Sequence, residues 1–392
     1  MTNKRWTRFQ ELVKTSLLLF ISACSSNESV DFVIKNVKLF DGNNVIEHTN
    51  VYVKDGLIKR IKANEETITC NYKYLIDGNN KTLIPGLINA HAHIQNSNNL
   101  IESAQAGILT MLDLNCITED SISIYKSFND SVQYAYFYTS GVGADMPNAV
   151  LKRLSGGKFT PSPINSKIDI ERYIANGIKN KVNYVKIFQD SRLSEKFSDS
   201  VFKTLINETH KHNMVTTVHT ETLRDAIFAF DNGADILAHA WVDSLISDSE
   251  LAKWKSREFY VTPTFLVHSI VIDKLHPKSY LTMELMLNEI NRLNKANIKI
   301  LAGTDAPNFG INFGTDLYKE LEFYVQSGMS TEDALKTATV NPAKAYKLKD
   351  KGVIKEGLSA DFVLINGDII KDIRQLNNIS NIWKNGINIK LH

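Results

Sequence analysis

Two histidines one residue apart, His91 and His93, close the run Pro85-Gly86-Leu87-Ile88-Asn89-Ala90-His91-Ala92-His93. On an extended strand, residues i and i+2 face the same side. The pair therefore projects together from the end of an apolar segment, residues 83–88, as two ligands of one metal ion must. A lone His-x-His also arises by chance in loops, so its meaning depends on what else the chain brings to the same place.

Elements that could gather such residues are legible downstream. After the segment ending at His91, apolar strand patterns recur at 108–114, 132–138, 182–188, 214–219, 236–239, 260–265 and 298–302. Helical spacing separates most of them, as in Phe197, Val201 and Leu205, in Leu223, Ile227 and Phe230, and over 281–295. Leu317, Leu321 and Tyr324 continue the stripe. Ser330 with Asp333 resembles a capping box, and Asn341-Pro342 reads as an N-cap followed by proline. Eight strands alternating with helices predict a (β/α)8 TIM barrel over residues 85–349. The connection 141–168 follows the third strand, holds Gly156-Gly157, Pro161 and Pro163, and shows no helical pattern, which suggests a partial lid. Short strands and tight turns, Asp55-Gly56 among them, fill 31–84 and return over 350–392. These two segments are expected to pair as one discontinuous β-sandwich.

Barrels of this class hold their active sites at the C-terminal ends of the strands. The polar residues found there are His91 and His93 on strand one and Lys186 on strand four. His219 ends strand five, His239 strand six, and Asp305 follows strand eight. Four of the chain's ten histidines thus meet at one mouth with a lysine and an aspartate. Read singly, Lys186 could be a solvent-reaching or substrate-binding cation, and Asp305 a helix cap. Gln189, Asp190, Glu221, His268 and Asn308 are candidate substrate contacts, and Asn96 and Thr264 border the mouth. His48, His210, His212, His276 and His392 read as surface residues, and Cys70 and Cys116 as buried thiols.

The motifs around these residues resemble the amidohydrolase superfamily, and most closely its imidazolonepropionase-related and prolidase-like members. They are the His91 run, Ala106-Gly107-Ile108-Leu109-Thr110 with Asp113, and Gly303-Thr304-Asp305-Ala306-Pro307. Thr339-Val340-Asn341-Pro342-Ala343 and Gly357-Leu358-Ser359-Ala360-Asp361-Phe362-Val363-Leu364 complete the set. The resemblance implies a binuclear site with two divalent metal ions, zinc foremost. His91, His93 and Asp305 would hold one ion, and His219 and His239 the other. Lys186, carboxylated by carbon dioxide, would bridge them. Imidazolonepropionase itself uses one metal and lacks this lysine. The implied reaction is hydrolysis of a C–N bond in a small substrate, a dipeptide or an N-acyl amino acid. A water bridging the metals would attack, with Asp305 as general base and then acid. The same site would suit a lactonase or phosphotriesterase, and a lipid-anchored binding protein without catalysis is the reading from another class.

Composition agrees with an enzyme. A net charge of +2 over 392 residues lacks the basic excess of a nucleic-acid surface, and three cysteines make no disulfide framework. The start is basic (Lys4, Arg5, Arg8, Lys14), then apolar over 16–21, then Ser22-Ala23-Cys24. This suggests a signal peptide over 1–23 that resembles a bacterial lipoprotein leader, with lipidation at Cys24 and 24–30 as linker. The expected location is therefore outside the inner membrane, lipid-anchored at a bacterial membrane. Self-association is left open.

Overall fold

The computed structural model describes residues 29–63, 68, 70–116, 118–275 and 281–390. The leader, Cys24, His276 and His392 lie outside the described residues. Strands β1 (Ser29–Phe40), β2 (Val45–Lys54), β3 (Leu57–Ala63), β4 (Asn71–Asp77) and β5 (Lys81–Pro85) come first. The site-bearing strands are β6 (Leu87–Ala92), β7 (Ile108–Asp113), β8 (Tyr136–Thr139), β9 (Val185–Phe188), β10 (Thr216–His219), β11 (Ile236–Ala238), β12 (Tyr260–Thr262) and β13 (Lys299–Ile300). The chain closes with β14 (Phe362–Asn366), β15 (Ile379–Lys384) and β16 (Ile387–Ile389).

Both chain ends build one eight-stranded sheet, in the order β16-β15-β14-β5-β1-β2-β3 with β4 beside β1. The join is the antiparallel pair β14–β5, where Val363 faces Ile84. Strand alternation explains why the sheet sits where it does. Phe362 and Leu364 enter its own core with Phe32, Ile34, Val51 and Trp383, while Val363 and Ile365 face the α/β core. The Asp55-Gly56 turn between β2 and β3 has φ of 51° and 77°, the double left-handed turn that this dipeptide favours in hairpins.

The remaining strands run parallel in two arcs, β6-β7-β8 and β9 through β13. Backbone hydrogen bonds tie the arcs at both seams. At one, Ala90 N donates to Ala302 O and His93 N to Ala306 O, each at 2.8 Å. At the other, Asn183 N donates to Thr139 O and Ala144 N to Lys186 O, again at 2.8 Å. Ile88, Leu112, Ile236, Tyr260 and Leu301, from both arcs, share one buried cluster. The fold is the α/β architecture expected of an amidohydrolase. No helix among the described residues is long and apolar enough to cross a membrane.

Several local expectations are corrected. β8 begins at Tyr136 rather than near Val132, because the carbonyls of Asn129, Ser131 and Tyr134 turn to accept the buried Lys384 ammonium at 2.7–2.8 Å. Phe265 starts a helix (Phe265–Leu275) instead of ending a strand. Thr339, not Asn341, precedes the helix Val340–Ala345, and Asn341 Nδ2 donates to Ile300 O. Residues 353–354 form no strand. The connection 141–168 does hold a short helix, Val150–Leu154, whose first turn is gathered by the Asp145 carboxylate accepting from Leu151 N at 2.6 Å.

Candidate metal centre

Each strand end delivers its side chain through a local device. Asn89, fully buried on β6, accepts from His91 N and Thr304 N and donates to Thr304 Oγ1. It thereby fastens the His91 run to the Gly303-Thr304-Asp305 run. Gly303 permits that approach, since a Cβ there would lie 2.7 Å from His91 Cβ. Asp113, at the end of β7, accepts from Ile94 N at 2.9 Å and from Thr139 Oγ1 at 2.6 Å, bracing the segment just past His93. His239, Thr264 and Asp305 all take left-handed backbone angles, with φ of 87°, 49° and 60°. Such conformations are uncommon outside glycine and concentrate at functional sites.

The side chains converge. Asp305 Oδ1 lies 3.0 Å from His91 Nε2 and 2.9 Å from His93 Nε2, and Asp305 Oδ2 accepts from Asn308 Nδ2 at 2.9 Å. Ring centroids of His91 and His239 are 4.6 Å apart, and those of His239 and His219 4.8 Å. Ligand atoms of His91, His239 and Asp305 all lie within 4.8 Å of one another, a spacing that suits a metal ion. That group draws His239 in with two residues that the resemblance assigns to the other ion.

Burial sets the charges. The Lys186 ammonium is driven down to about 7 by burial, against a partial pull from Asp305. His91 falls to about 3 through burial and the neighbouring Lys186 charge. His239 is held well below the usual histidine range by burial and by His91. Burial pushes the Asp305 carboxyl up, but the imidazoles of His91, His93 and His239 outweigh it and keep it well below the carboxylate range. His91 and His239 are thus neutral nitrogen donors beside an anionic Asp305, which is the protonation state that metal binding needs.

The donors also fit a metal by what they lack. His91 is fully buried, yet neither of its ring nitrogens has a hydrogen bond of acceptable geometry. Lys186 is 1% exposed and pairs with no carboxylate among the described residues. Buried polar groups are normally partnered, so the unbonded His91 nitrogens and His219 Nε2 point to a bound group. Gly143 makes room chiefly for the Phe188 ring, since a Cβ there would sit 2.5 Å from Phe188 Cε2, and less tightly for this lysine, 3.3 Å from its Cγ.

The cluster floors a cavity of about 800 Å³, and comparison with known proteins says what kind of floor it is. The amidohydrolase family model matches residues 82–390. The chain belongs to the amidohydrolase family. Similar sequences include an adenine deaminase of Clostridium perfringens, 22% identical over 372 residues, covering 91% of this chain. The chain spans only 58% of that enzyme's length. A 5-methylthioadenosine/S-adenosylhomocysteine deaminase of Dictyoglomus turgidum is 20% identical over 386 residues, covering 85% of this chain and 84% of the relative. Among solved structures, a Xaa-Pro dipeptidase with bound methionine superposes with a TM-score of 0.79 at 18% identity, covering 92% of this chain and 99% of that one. The ochratoxinase of A. niger gives 0.75 at 16%, covering 93% and 96%. At these identities the structural likeness concerns the fold alone.

For this amidohydrolase, His91, His93, Lys186, His219, His239 and Asp305 all line one cavity, together with Glu221, His268 and Asn308. Gln189 does not line it; its side chain is buried at the end of β9. Asp190 is taken up by Arg192, and Asn96 caps the helix Ser97–Gln105. Burial raises the Glu221 carboxyl, but His219 and Arg192 outweigh it and hold Glu221 as an anion. Burial takes His268 down to about 4, leaving it neutral. Thr264 has a sharper role than bordering the mouth. Its Oγ1 donates to Pro263 O and lies 2.7 Å from His239 Nδ1, so it accepts the Nδ1 proton and leaves Nε2 as the free donor atom. Sequence reasoning missed Glu320, which is fully buried and accepts from Phe265 N and Leu266 N, each at 2.8 Å. It caps the helix that follows Thr264, and nothing in its local sequence points there.

Proposed function

We propose that this amidohydrolase hydrolyses the amide bond of a small substrate, a dipeptide or an N-acyl amino acid, at a binuclear zinc site. The two parallel arcs read as one (β/α)8 barrel over 85–349, supported by the hydrogen bonds at both seams and the shared interior cluster. Residues 31–84 and 350–392 form its composite β domain. The observation that carries the reading is Lys186. A buried lysine that titrates near neutral pH and has no carboxylate partner presents the neutral amine that carbon dioxide carboxylates. Its carbamate would be the anionic bridge between ions held by His91, His93, Asp305, His219 and His239.

Bound metal supplies Lewis-acid activation of the carbonyl and of the attacking water. The chain supplies the rest. Asp305, kept anionic, takes the proton of the attacking water and returns it to the leaving nitrogen. Asn308 fixes the plane of that carboxylate through Oδ2. Thr264 sets the tautomer of His239. Glu221 offers an acceptor to a substrate N–H at the cavity wall. A lactonase or phosphotriesterase on the same residues is the runner-up, because the same nucleophile attacks esters. The deaminase relatives place their chemistry at C–N bonds too, so aminopurines belong in the same screen.

The test is metal analysis and ¹³C-carbonate NMR on the purified protein, followed by turnover of dipeptides, N-acyl amino acids, lactones and adenine. Two metal equivalents, a carbamate signal lost in Lys186→Gln, and preference for amides are expected. A metal-loaded protein with no carbamate, or with lactones preferred, overturns the reading. We also propose lipid attachment at Cys24. Mass spectrometry of the membrane fraction should show the acylated residue, and Cys24→Ala should release the protein.

A further inference from the structure

We infer that the substrate carries a bulky apolar group, aryl or branched alkyl, beside its scissile bond, and that Phe309 is the residue that selects for it. This rests on the amide-hydrolase reading above and names the class of amide. The cavity has the histidines, Lys186 and Asp305 at its floor, and its exposed lining mixes polar residues (Gln95, Thr118, Asn308) with apolar ones. Leu154, Phe159, Val271 and Phe309 line it from the connections that follow β8, β12 and β13. Two of them face water. Leu154 is 65% exposed and Phe309 50%. Phe309 also carries a φ of 56°, in the left-handed region that a bulky residue seldom adopts. Exposed ring and unfavourable backbone thus fall on one residue at the rim of the site.

Packing does not put the ring there. The turn Asn308–Gly310 is fixed by polar bonds: Asn308 Nδ2 to Asp305 Oδ2, Gly310 N to Pro307 O, and Ile311 N to Asn308 O. Asp305 therefore sets the turn, and the turn presents Phe309 to whatever enters. A substrate whose amide lies against Asp305 brings its adjoining group to the lining to which Phe309, four residues on, and Leu154 contribute. Covering the ring removes apolar surface from water, so an apolar group binds there better than a polar one. A cavity of about 800 Å³ leaves ample room beyond a bare acetyl amide.

Acetyl, butyryl and phenylacetyl amides of one common amine, given to the metal-loaded protein, test this. Wild type should show kcat/KM rising along the series, by about tenfold from acetyl to phenylacetyl, the worth of covering half a phenyl ring. Phe309→Ala should lose about tenfold on the phenylacetyl amide, chiefly through KM, with a loss several times smaller on acetyl, and Phe309→Leu should recover part of it. An acetyl amide that is the best substrate, or equal losses along the series, overturns the inference. If no amide turns over, the proposed function fails on its own. The rim is then judged by calorimetric titration with phenylacetamide and acetamide: tighter binding of the former, lost in Phe309→Ala, upholds it, and equal binding overturns it.

Discussion

Replacing Lys186 by methionine should stabilise the metal-free protein near neutral pH. Methionine keeps an unbranched, apolar stem and removes the ammonium. Lys186 is 1% exposed, and burial takes its pKa from 10.5 to about 7. Between those two values the unfolded chain holds the lysine proton and the native chain does not, so this group's contribution to stability rises with pH across the window. Below about 7 both states are protonated and the full cost of burying the charge is present. The difference between 10.5 and about 7, at 1.36 kcal/mol per unit, makes that cost about 5 kcal/mol. Lys186→Met removes it, so the variant should exceed wild type by several kcal/mol at pH 6, with the margin closing toward pH 10.5. Urea unfolding of chelator-treated protein in carbonate-free buffer at pH 6, 8.5 and 10 measures this. A variant less stable than wild type at pH 6, or a margin independent of pH, would refute the claim that Lys186 is held as a neutral amine. Added metal and bicarbonate should stabilise wild type far more than the variant, because only wild type can form the carbamate.

His91→Ala should retain the fold by near-ultraviolet circular dichroism while kcat/KM drops below about a hundredth of wild type and bound metal falls, since the proposed centre loses a donor. Thr264→Val, which keeps the volume and removes the hydroxyl, should weaken metal affinity by about 10- to 100-fold in chelator competition, with Thr264→Ser restoring most of it; equal affinities for Val and wild type would defeat the tautomer assignment. Gly303→Ala forces a Cβ to within 2.7 Å of His91 Cβ, so urea unfolding should show a loss of about 1–3 kcal/mol and metal occupancy should fall with it.

The residues that meet at the cavity floor were readable because each stands at or just past the end of an apolar run. His219 closes the Thr216–His219 strand, and Lys186 sits between buried Val185 and Ile187, so strand period and residue type locate them without any long-range information. The pairing of the two chain ends was readable for the same reason, since β5 and β14 are short apolar segments that each need a partner. What escaped depends on bonds across long stretches of chain. The Lys384 ammonium delays β8 from some 250 residues away. Glu320 caps a helix 55 residues upstream of it. Thr264 reaches His239 across 25 residues, through a backbone angle that no threonine shows by its own preference. Gln189 failed for a related reason: the residue after a strand end can turn inward or outward, and only its packing decides which. Local pattern therefore names the residues that converge, because burial and period are local properties. Which nitrogen of His239 is free, which way the Asp305 carboxylate faces and which ring waits at the mouth are set by single polar bonds between distant segments. Those three choices lie beyond what residue type and strand period encode.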